Sequence, residues 1–521
     1  MPLVRFINEA GTELNRASAS ADAVVLDVMR SAGIAVESPC GGVGTCGKCR
    51  VRVNGEWVLA CKTKVGDGAD VVVSKRSDGM PIVTAYDKFE FDLAPAITGV
   101  PRALGIAMDI GTTTIAAELV SLENGARLAK RSILNPQTAY AGDVLSRIHI
   151  ASEPAGLAKL HEAFVDAFKE LRDGLLSDAK ASARDIHAVV YSGNATMLHI
   201  AANVDPSSMG SHPYTPTLQG DAYLPADNLG LAEGARVYFP PYASAFIGAD
   251  ITSGILAAGL DKLHGTTLFI DVGTNGEIVL ARDGKMAAAA TAAGPAFEGM
   301  NIECGMRASA GAIARFMIDG SGAAHYETIG GADAAGICGS GLLDIVAELA
   351  RTGGIDNTGR LCTNEQLSMK NEKLMVGNGN SQQQTKANNS SLYITDAVYL
   401  TQNDIRQVQL AKGAIRAGCD ALMDTLGVAA AQVDRVLIAG SFGYHLRETS
   451  LLDLGMLPWE FAGKLRFVGN TSLSGAAAFL LNKKLRGQMN RAVGNIKVVD
   501  LNDTADFEGR FVGALGFTHN E

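Results

Sequence analysis

Several features are scarce in this chain of 521 residues. Only 6% of its residues are aromatic, whereas 59 are glycine and 47% are hydrophobic. No apolar run reaches the roughly 18 residues that a membrane-spanning helix needs, so no membrane partner is expected. The formal net charge is −10 and no run of lysine and arginine occurs, which argues against nucleic acid as a partner. The partners that remain are small molecules and other proteins.

Cysteine is also scarce, with 8 residues in the whole chain. This number is too small for a disulfide framework, and the sequence starts Met-Pro-Leu-Val-Arg without the charged and then apolar leader of an exported protein. We therefore expect a cytoplasmic protein. The length allows about two to four domains, and the abundance of small residues predicts α/β structure with many tight turns.

Half of the cysteines lie close together, at Cys40, Cys46, Cys49 and Cys61, with glycines between them. The spacing C-x5-C-x2-C is one residue longer than the plant-type run that holds a [2Fe–2S] cluster. Glycine lets such a loop wrap closely around inorganic sulfides and point N–H groups at them. A structural zinc site is the alternative, but it usually has two close cysteine pairs and only one is present. We predict an iron–sulfur cluster on these four residues.

The other cysteines are scattered singly, which favours small buried apolar residues over a second metal site. They are Cys304, Cys338, Cys362 and Cys419.

The order of predicted elements divides the chain. Residues 1–76 show strand, strand, helix, cysteine loop and returning strands, which is the order of a ferredoxin-like β-grasp domain. Residues 77–102 contain three prolines and no clean period, so they are predicted to be a linker. Near residues 356–392 the sequence becomes polar and repetitive, which predicts a surface insertion.

From residue 103 onward the chain contains the same order of strands and turns twice. An apolar strand that ends in Asp109, a Gly-Thr turn and a second strand have a counterpart at Asp271. A second pair of apolar strands ends in Gly193-Asn194 and in Gly440-Ser441. We predict α/β plus α+β architecture, in which residues 103–260 and 261–521 form two similar lobes that face each other across a cleft.

The two Gly-Thr turns suggest nucleotide binding. Such a turn offers N–H groups and hydroxyls to phosphate, and a carboxylate before it can hold Mg²⁺ through water. An ordinary hairpin is the alternative for either turn alone, but two in equivalent positions would clamp a phosphate chain. No G-x-x-x-x-G-K-[ST] loop occurs, which argues against a P-loop nucleotidase. Glycine backbone at Gly440-Ser441-Phe442-Gly443 could lie against adenosine.

These turns resemble the superfamily of acetate kinase, sugar kinases, heat-shock chaperone ATPases and actin. Joined to the cysteine loop, they resemble the reductive activators of corrinoid-dependent enzymes. Further strings are similar to that family: Asn135-Pro136-Gln137, Gly193 to Met197, Ala293 to Gly299, Gly336 to Gly341, Asp404-Ile405-Arg406, Ala411 to Gly413 and Val468 to Asn470. The resemblance covers nearly the whole chain. It implies a duplicated, RNase H-like two-lobed ATPase behind a [2Fe–2S] domain.

The resemblance also implies an activity and a set of roles. The activity is ATP-dependent, one-electron reduction of Co(II) to Co(I) on a corrinoid protein of the methyltransferase or dehalogenase type, with ferredoxin or flavodoxin as electron donor. Asp109 and Asp271 would position Mg²⁺ and water, and Glu277 would orient the attacking water or serve only as a strand-edge residue. The residues expected around the phosphates and the adenosine are Gly111, Thr112, Thr113, Thr114, Gly273, Thr274, Asn275, Gly339, Ser340, Gly341, Gly440, Ser441, Phe442 and Gly443.

Three further expectations follow from the same resemblance. The 294–299 loop would face the corrinoid partner, with the hydroxyl of Thr291 close to cobalt. Relatives often carry a middle domain after the ferredoxin part, and the short 77–102 segment predicts that it is absent here.

Two alternative functions are an electron donor to a non-corrinoid enzyme, similar to the activators of 2-hydroxyacyl-CoA dehydratases, and an ATP-binding redox sensor or chaperone-like module.

Overall fold

The protein is described from a computed structural model. The described residues are 1–8, 11–34, 36, 42, 49–73, 92–362, 391–440 and 446–517, with the backbone of 375–376, 383–384 and 387–388.

The first part of the chain is a small sheet covered by one helix. Its elements are β1 (Leu3–Asn8), β2 (Glu13–Ser18), α1 (Val25–Ser31), β3 (Arg50–Val53), β4 (Glu56–Leu59) and β5 (Ala69–Val73). The strand order is β2-β1-β5-β3-β4, with β1 and β5 parallel. Val4 and Phe6 alternate with exposed neighbours, so one face of β1 packs against Leu26 and Met29 of α1. The predicted β-grasp fold is confirmed.

The next part is a lobe built on a six-stranded sheet. Its elements are β6 (Leu104–Ile110), β7 (Thr114–Ser121), β8 (Arg127–Leu134), α2 (Val144–Ala151), α3 (Pro154–Ala179), β9 (Ile186–Gly193), α4 (Ala195–Ala201), β10 (Ala222–Pro225), β11 (Arg236–Phe239) and α5 (Ala249–Ala258). The strand order is β10-β11-β9-β6-β7-β8. The central strand β6 is apolar along almost its whole length because helices cover both faces of the sheet.

The last part is a second, larger lobe. Its strands are β12 (Thr266–Val272), β13 (Gly276–Arg282), β14 (Lys285–Thr291), β15 (Ala312–Ile318), β16 (Ala323–Thr328), β17 (Gly336–Ile337), β18 (Met375–Val376), β19 (Gln383–Gln384), β20 (Ala387–Asn388), β21 (Ser391–Tyr393), β22 (Tyr399–Thr401), β23 (Arg435–Ala439), β24 (Leu465–Gly469) and β25 (Ile496–Val498). Its helices are α6 (Gly339–Arg351), α7 (Gln402–Leu426), α8 (Glu448–Asp453), α9 (Thr471–Leu481), α10 (Lys484–Val493) and α11 (Phe507–Gly513). The main sheet has the order β24-β23-β12-β13-β14-β25.

The duplication predicted from the sequence is present in the strand pairing. β6 and β7 form an antiparallel hairpin, as do β12 and β13. On its other side β6 pairs in parallel with β9, and β12 pairs in parallel with β23. Both predicted strand pairs are therefore equivalent in the two lobes, which confirms the two-lobed fold.

The two lobes touch through α5 and α9, the helices that follow the last parallel strand of each sheet. A Cβ atom at Gly475 would lie 2.2 Å from the carbonyl oxygen of Ser253, so only glycine permits this approach. A Cβ atom at Gly254 would lie 3.0 Å from Oγ1 of Thr471. The close contact brings the N-terminal ends of both helices to the cleft.

The described end of the predicted linker is anchored to the second lobe. The N–H of Ala94 donates to the carbonyl of Leu481 at 2.8 Å, and the N–H of Lys483 donates to the carbonyl of Ala94 at 2.9 Å. Residues 77–91 and most of the predicted insertion lie outside the described residues. No helix in the described part of the chain is long and apolar enough to cross a membrane.

Candidate functional site

The first turn predicted to bind phosphate, Gly111 to Thr113, lies between β6 and β7. Asn135 binds two backbone carbonyl groups of this turn. Its side-chain amide donates to the carbonyl of Gly111 at 2.9 Å, and its backbone N–H donates to the carbonyl of Thr113 at 2.9 Å. The hydroxyl of Thr112 accepts from the amide of Asn194 at 3.2 Å. The hydroxyl of Thr113 is buried and has no partner within the protein. A buried hydroxyl without a partner fits a phosphate oxygen, because such a group is otherwise costly.

Arg147 supports this turn and was not identified from the sequence. Its guanidinium is fully buried and donates to the carbonyl of Thr112 at 2.6 Å and to the side chain of Gln137 at 3.0 Å. Burial lowers the pKa of Arg147 to about 9, while the charges of Asp143 and Glu298 act in the opposite direction. An arginine in the middle of α2 carries no motif, so only the tertiary contact reveals its role.

The second turn predicted to bind phosphate, Gly273 to Asn275, lies between β12 and β13. The N–H of Gly273 bonds to the carbonyl of Asn275 at 3.0 Å, which closes the turn. The hydroxyl of Thr274 donates to one carboxylate oxygen of Glu298 at 2.8 Å, and the other oxygen of Glu298 is buried without a partner. Thr274 is thus held by a carboxylate that could itself accept from metal-bound water.

Four carboxylates gather where the turns meet. Three are the predicted Asp109, Asp271 and Glu277, and the fourth is Asp250, in the first turn of α5. Burial, together with the charges of Asp250 and Asp109, raises the pKa of Asp271 to about 8. Burial also raises the pKa of Glu277 well above its usual value, with the charges of Asp250 and Asp271 in the same direction.

This mutual repulsion is what a bound cation would relieve. Burial and the charge of Asp109 raise the pKa of Asp250 to about 7. Among the residues that the structure describes, no three His, Cys, Asp or Glu side chains stand close enough together to chelate a metal directly. Carboxylate oxygens are the protein ligands that Mg²⁺ takes, often together with water and phosphate oxygens, so the chemistry of these residues fits that ion.

Asp109 also connects the two lobes. Its carboxylate accepts from the amide of Asn470 and from the hydroxyl of Ser472, both at 2.7 Å and both from the second lobe. Ser472 in turn bonds to Ser192 at the end of β9, at 2.9 Å. Burial raises the pKa of Asp109, while the two hydrogen bonds lower it.

Asp250 and Ser472 were both missed by sequence reasoning, and both occupy the start of the helix after a lobe's last parallel strand. The two helix starts are therefore a third repeated feature of the lobes: Gly248-Ala249-Asp250 in the first and Asn470-Thr471-Ser472 in the second. A search for polar residues at corresponding helix starts in the two halves could have found them.

The residues predicted beside adenosine are only partly described. Gly440 has φ +110°, and a Cβ atom there would lie 2.4 Å from the carbonyl oxygen of Val272, so this position requires glycine. Ser441, Phe442 and Gly443 lie outside the described residues. Ser340 donates its hydroxyl to the carbonyl of Ala314 at 3.0 Å. The start of α6 is thus packed against β15, and nucleotide contact by Gly339, Ser340 and Gly341 stays a prediction.

The cysteine site is described for two of its four predicted ligands. Cys49 precedes β3 and Cys61 lies in the 3₁₀ helix Ala60–Lys62, and both are buried. The N–H of Cys61 points at Sγ of Cys49 at 3.5 Å. N–H groups directed at cysteine sulfur are what an iron–sulfur site needs, so this pair fits the cluster. Cys40 and Cys46 lie outside the described residues.

Thr291 does not have the surroundings predicted for it. Its hydroxyl donates to the carbonyl of Gly276 at 3.0 Å, and the side chain is buried between β13 and α7. The expected approach of this hydroxyl to cobalt is wrong, because the group is enclosed behind the second phosphate turn. Cys338 and Cys419 are buried as predicted, whereas Cys304 and Cys362 are partly exposed.

Comparison with known proteins gives three family matches. Residues 7–71 match a 2Fe-2S iron–sulfur cluster binding domain, residues 104–263 match the RACo middle region, and residues 265–521 match the C-terminal ASKHA domain of RACo. The region described as the middle of RACo is therefore present as the first lobe. The expectation that no further domain lies between the ferredoxin part and the first lobe stays a prediction.

Individual proteins agree with these matches. The chain is 31% identical to "Corrinoid activation enzyme RamQ" of Eubacterium limosum, over 90% of this chain and 92% of that protein. It is 25% identical to the "[Co(II) methylated amine-specific corrinoid protein] reductase" of Methanosarcina barkeri, over 73% of this chain and 70% of that protein. The solved structure of a "Reductive activator for corrinoid,iron-sulfur protein" matches with a TM-score of 0.71 and 28% identity, over 100% of this chain and 99% of that one.

Proposed function

This chain belongs to the RACo family of reductive activators of corrinoid proteins, and on that premise we propose how its site works. The function is ATP-dependent reductive activation of a corrinoid protein. One electron from a donor converts the partner's Co(II) to Co(I), and ATP is hydrolysed to ADP and phosphate. The observation that carries this function is the presence, within a single chain, of two equivalent hairpin turns, one in each lobe, and a buried cysteine pair in the ferredoxin-like domain.

ATP would lie between the two turns. Thr113 supplies a buried hydroxyl for a phosphate oxygen, and Arg147 and Asn135 keep the carbonyl groups of its turn directed away from the ligand. Asp271 and Asp250 would hold Mg²⁺ through water, since their raised pKa values report negative charge that lacks compensation. Glu277 lies opposite Asp271 on the neighbouring strand, where it could orient the attacking water.

ATP is needed because the reduction of Co(II) to Co(I) by ordinary electron donors has an unfavourable free energy. Each tenfold change in a one-electron equilibrium corresponds to about 59 mV. Hydrolysis can supply the free energy for this reduction only if the nucleotide changes the conformation of the protein. Closure of two lobes on a ligand is a common change of this kind. The bonds from Asn470 and Ser472 to Asp109 span the lobes and would respond to such a movement.

Cys40, Cys46, Cys49 and Cys61 would hold the [2Fe–2S] cluster, which supplies a one-electron carrier when it is bound. The donor would be a low-potential ferredoxin or flavodoxin. The partner would be a corrinoid protein of the methyltransferase type, supported by the methylated-amine-specific corrinoid protein on which one relative acts. We place the reaction in the cytoplasm, where ATP is available.

The alternatives have less support. Activation of a non-corrinoid enzyme does not account for the similarity to corrinoid activators over nine tenths of the chain. An ATP-binding sensor would not need to transfer electrons.

The test is an anaerobic assay with a corrinoid protein loaded with Co(II), reduced ferredoxin and Mg-ATP, in which Co(I) absorbance is followed. We expect Co(I) to form only when the purified protein and ATP are both present. Equal formation of Co(I) without nucleotide would disprove the ATP-dependent function.

A further inference from the structure

We propose that Arg30 and Arg50 dock the ferredoxin-like domain on the two lobes, so that closure of the lobes on nucleotide is transmitted to the cysteine site. This inference rests on the proposed function and assigns positioning roles to two residues that no motif identifies. Each arginine lies beside the cysteine site, and each contacts a different lobe.

Arg30 connects the cysteine loop to the first phosphate turn. It lies in the last turn of α1, and its guanidinium donates to the carbonyl of Ala139 at 2.5 Å. A Cβ atom at Gly42, in the cysteine loop, would lie 3.9 Å from the Arg30 guanidinium and 3.9 Å from Cβ of Cys61. The same arginine therefore touches the first lobe and lies next to the cysteine site.

Ala139 is close in structure to the phosphate turn. It ends the 3₁₀ helix Pro136–Ala139, whose cap is Asn135. Asn135 bonds to the carbonyl groups of Gly111 and Thr113, both at 2.9 Å. A movement of the first phosphate turn thus reaches Arg30 through one capped helical turn, which is a short and stiff connection.

Arg50 makes the equivalent connection to the second lobe. It directly follows Cys49 and forms an ion pair with Glu303 at 2.8 Å. The N–H of Glu303 is fixed by the carboxylate of Asp404 at 2.8 Å. Glu303 lies in the loop between Gly299 and Met306. This loop is tightly folded, because a Cβ atom at Gly299 would lie 2.5 Å from the carbonyl oxygen of Met306. Gly299 directly follows Glu298. Glu298 holds the second phosphate turn through Thr274.

The two contacts join the ferredoxin-like domain to different lobes. If the distance between the lobes changes, the ferredoxin-like domain must move with one lobe and lose or rearrange its contact with the other. Arg50 and Glu303 are 59% and 40% exposed, so their pair contributes little to stability and can exchange readily. Such weak, paired contacts suit a switch, because nucleotide needs only modest differential affinity to change them.

The test is a charge exchange with a matched control. Arg50→Glu and Glu303→Arg are compared with the double variant that carries both, and Arg52→Glu is the control. Arg52 lies on the same strand and stacks on Trp57 within its own domain, 4.9 Å from the ring centre. Each variant is measured for its cluster spectrum, its ATP hydrolysis, and the change in cluster midpoint potential when a non-hydrolysable ATP analogue with Mg²⁺ is added. Hydrogen exchange of residues 136–141 is followed with and without the analogue.

We expect both single variants to keep the spectrum and ATP hydrolysis, to lose the nucleotide-dependent potential change, and to reduce Co(II) about fivefold more slowly. The double variant should return to within about twofold of the parent, and the control should match the parent. Arg30→Met should abolish the nucleotide response of hydrogen exchange at 136–141.

Single variants that respond to nucleotide like the parent, or a double variant that is not restored, would overturn the docking inference while the proposed function stands. A parent protein that reduces Co(II) equally without ATP would overturn the proposed function, and this inference with it.

Discussion

The amide of Asn470 donates a 2.7 Å hydrogen bond to the carboxylate of Asp109, from the start of α9 in the second lobe to the first strand of the first lobe. The side-chain oxygen of the same Asn470 also caps α9 by accepting from the N–H of Leu473 at 2.8 Å. One residue therefore stabilises a helix end and joins the two lobes at the carboxylate cluster.

Asn470→Asp separates these two roles. Aspartate can still cap the helix, but it replaces the donor to Asp109 with a second negative charge. We expect the free energy of unfolding to fall by about 1–3 kcal/mol and nucleotide affinity to decrease. The loss should be smaller at low pH, where one carboxyl is protonated. Chemical denaturation at pH 5.5 and pH 8 checks this, with the exposed Asn502→Asp as control.

Cys49→Ser tests the cysteine site. Because Cys49 is a predicted ligand whose sulfur faces the N–H of Cys61, we expect the variant to lose its [2Fe–2S] absorption and its Co(II) reduction but to keep ATP binding. Cys46→Ser should behave in the same way. Absorption spectra and isothermal titration with ATP provide the measurements. Cys362→Ser is the control and should remain coloured; a coloured, active Cys49→Ser protein would contradict the ligand assignment.

Asp271→Asn should have the reverse effect. It removes a carboxylate proposed to hold Mg²⁺ through water, so nucleotide-dependent reduction should be lost while the cluster spectrum is unchanged. Asp396→Asn, an exposed change in the same lobe, should leave both intact. Normal ATP-dependent reduction by Asp271→Asn would rule out the proposed role.

Glu277→Gln distinguishes a catalytic carboxylate from a strand-edge residue. If Glu277 orients the attacking water, ATP hydrolysis should fall about a hundredfold or more while ATP binding changes little. If it serves only the strand, amide and carboxylate should support similar rates of hydrolysis. Steady-state hydrolysis and equilibrium binding of ATP, measured on the same preparation, separate the two outcomes.

The carboxylate cluster should make the nucleotide-free protein less stable as pH rises. The folded-state pKa values of Asp250 and Asp271 are raised to about 7 and about 8, above the usual value of 3.8. At pH values between the usual pKa and the raised pKa of each group, the folded state binds more protons than the unfolded state. The free energy of unfolding therefore falls as pH rises through this range. We expect Tm to fall by several degrees between pH 6 and pH 8.5.

Added Mg²⁺ should offset this fall, and its effect should grow with pH because it binds the ionised carboxylates. Asp271→Asn should flatten the pH profile. A Tm that is equally independent of pH with and without Mg²⁺ would show that the carboxylates are already compensated in the free protein.

The sequence by itself determined the organisation of this protein. Four cysteines at a characteristic spacing identified the iron–sulfur domain, because ligand spacing along a loop is a local property. The repeated strand and turn at Asp109 and Asp271 identified the two lobes, because each hairpin carries its own apolar period and turn residues. In both cases the residues that matter are neighbours in the chain.

Only the tertiary structure decided which distant residues complete the site. Asp250 and Ser472 begin α5 and α9, and they meet the phosphate turns because these two helices pack together at Gly475. Arg147 comes from α2 and reaches the carbonyl of Thr112 within the first lobe. Thr291 is the last residue of β14, whose sequence resembles that of the neighbouring strands, yet its hydroxyl donates to the carbonyl of Gly276. Burial, charge repulsion and contact between lobes depend on distances across the fold, and spacing along the chain does not encode those distances.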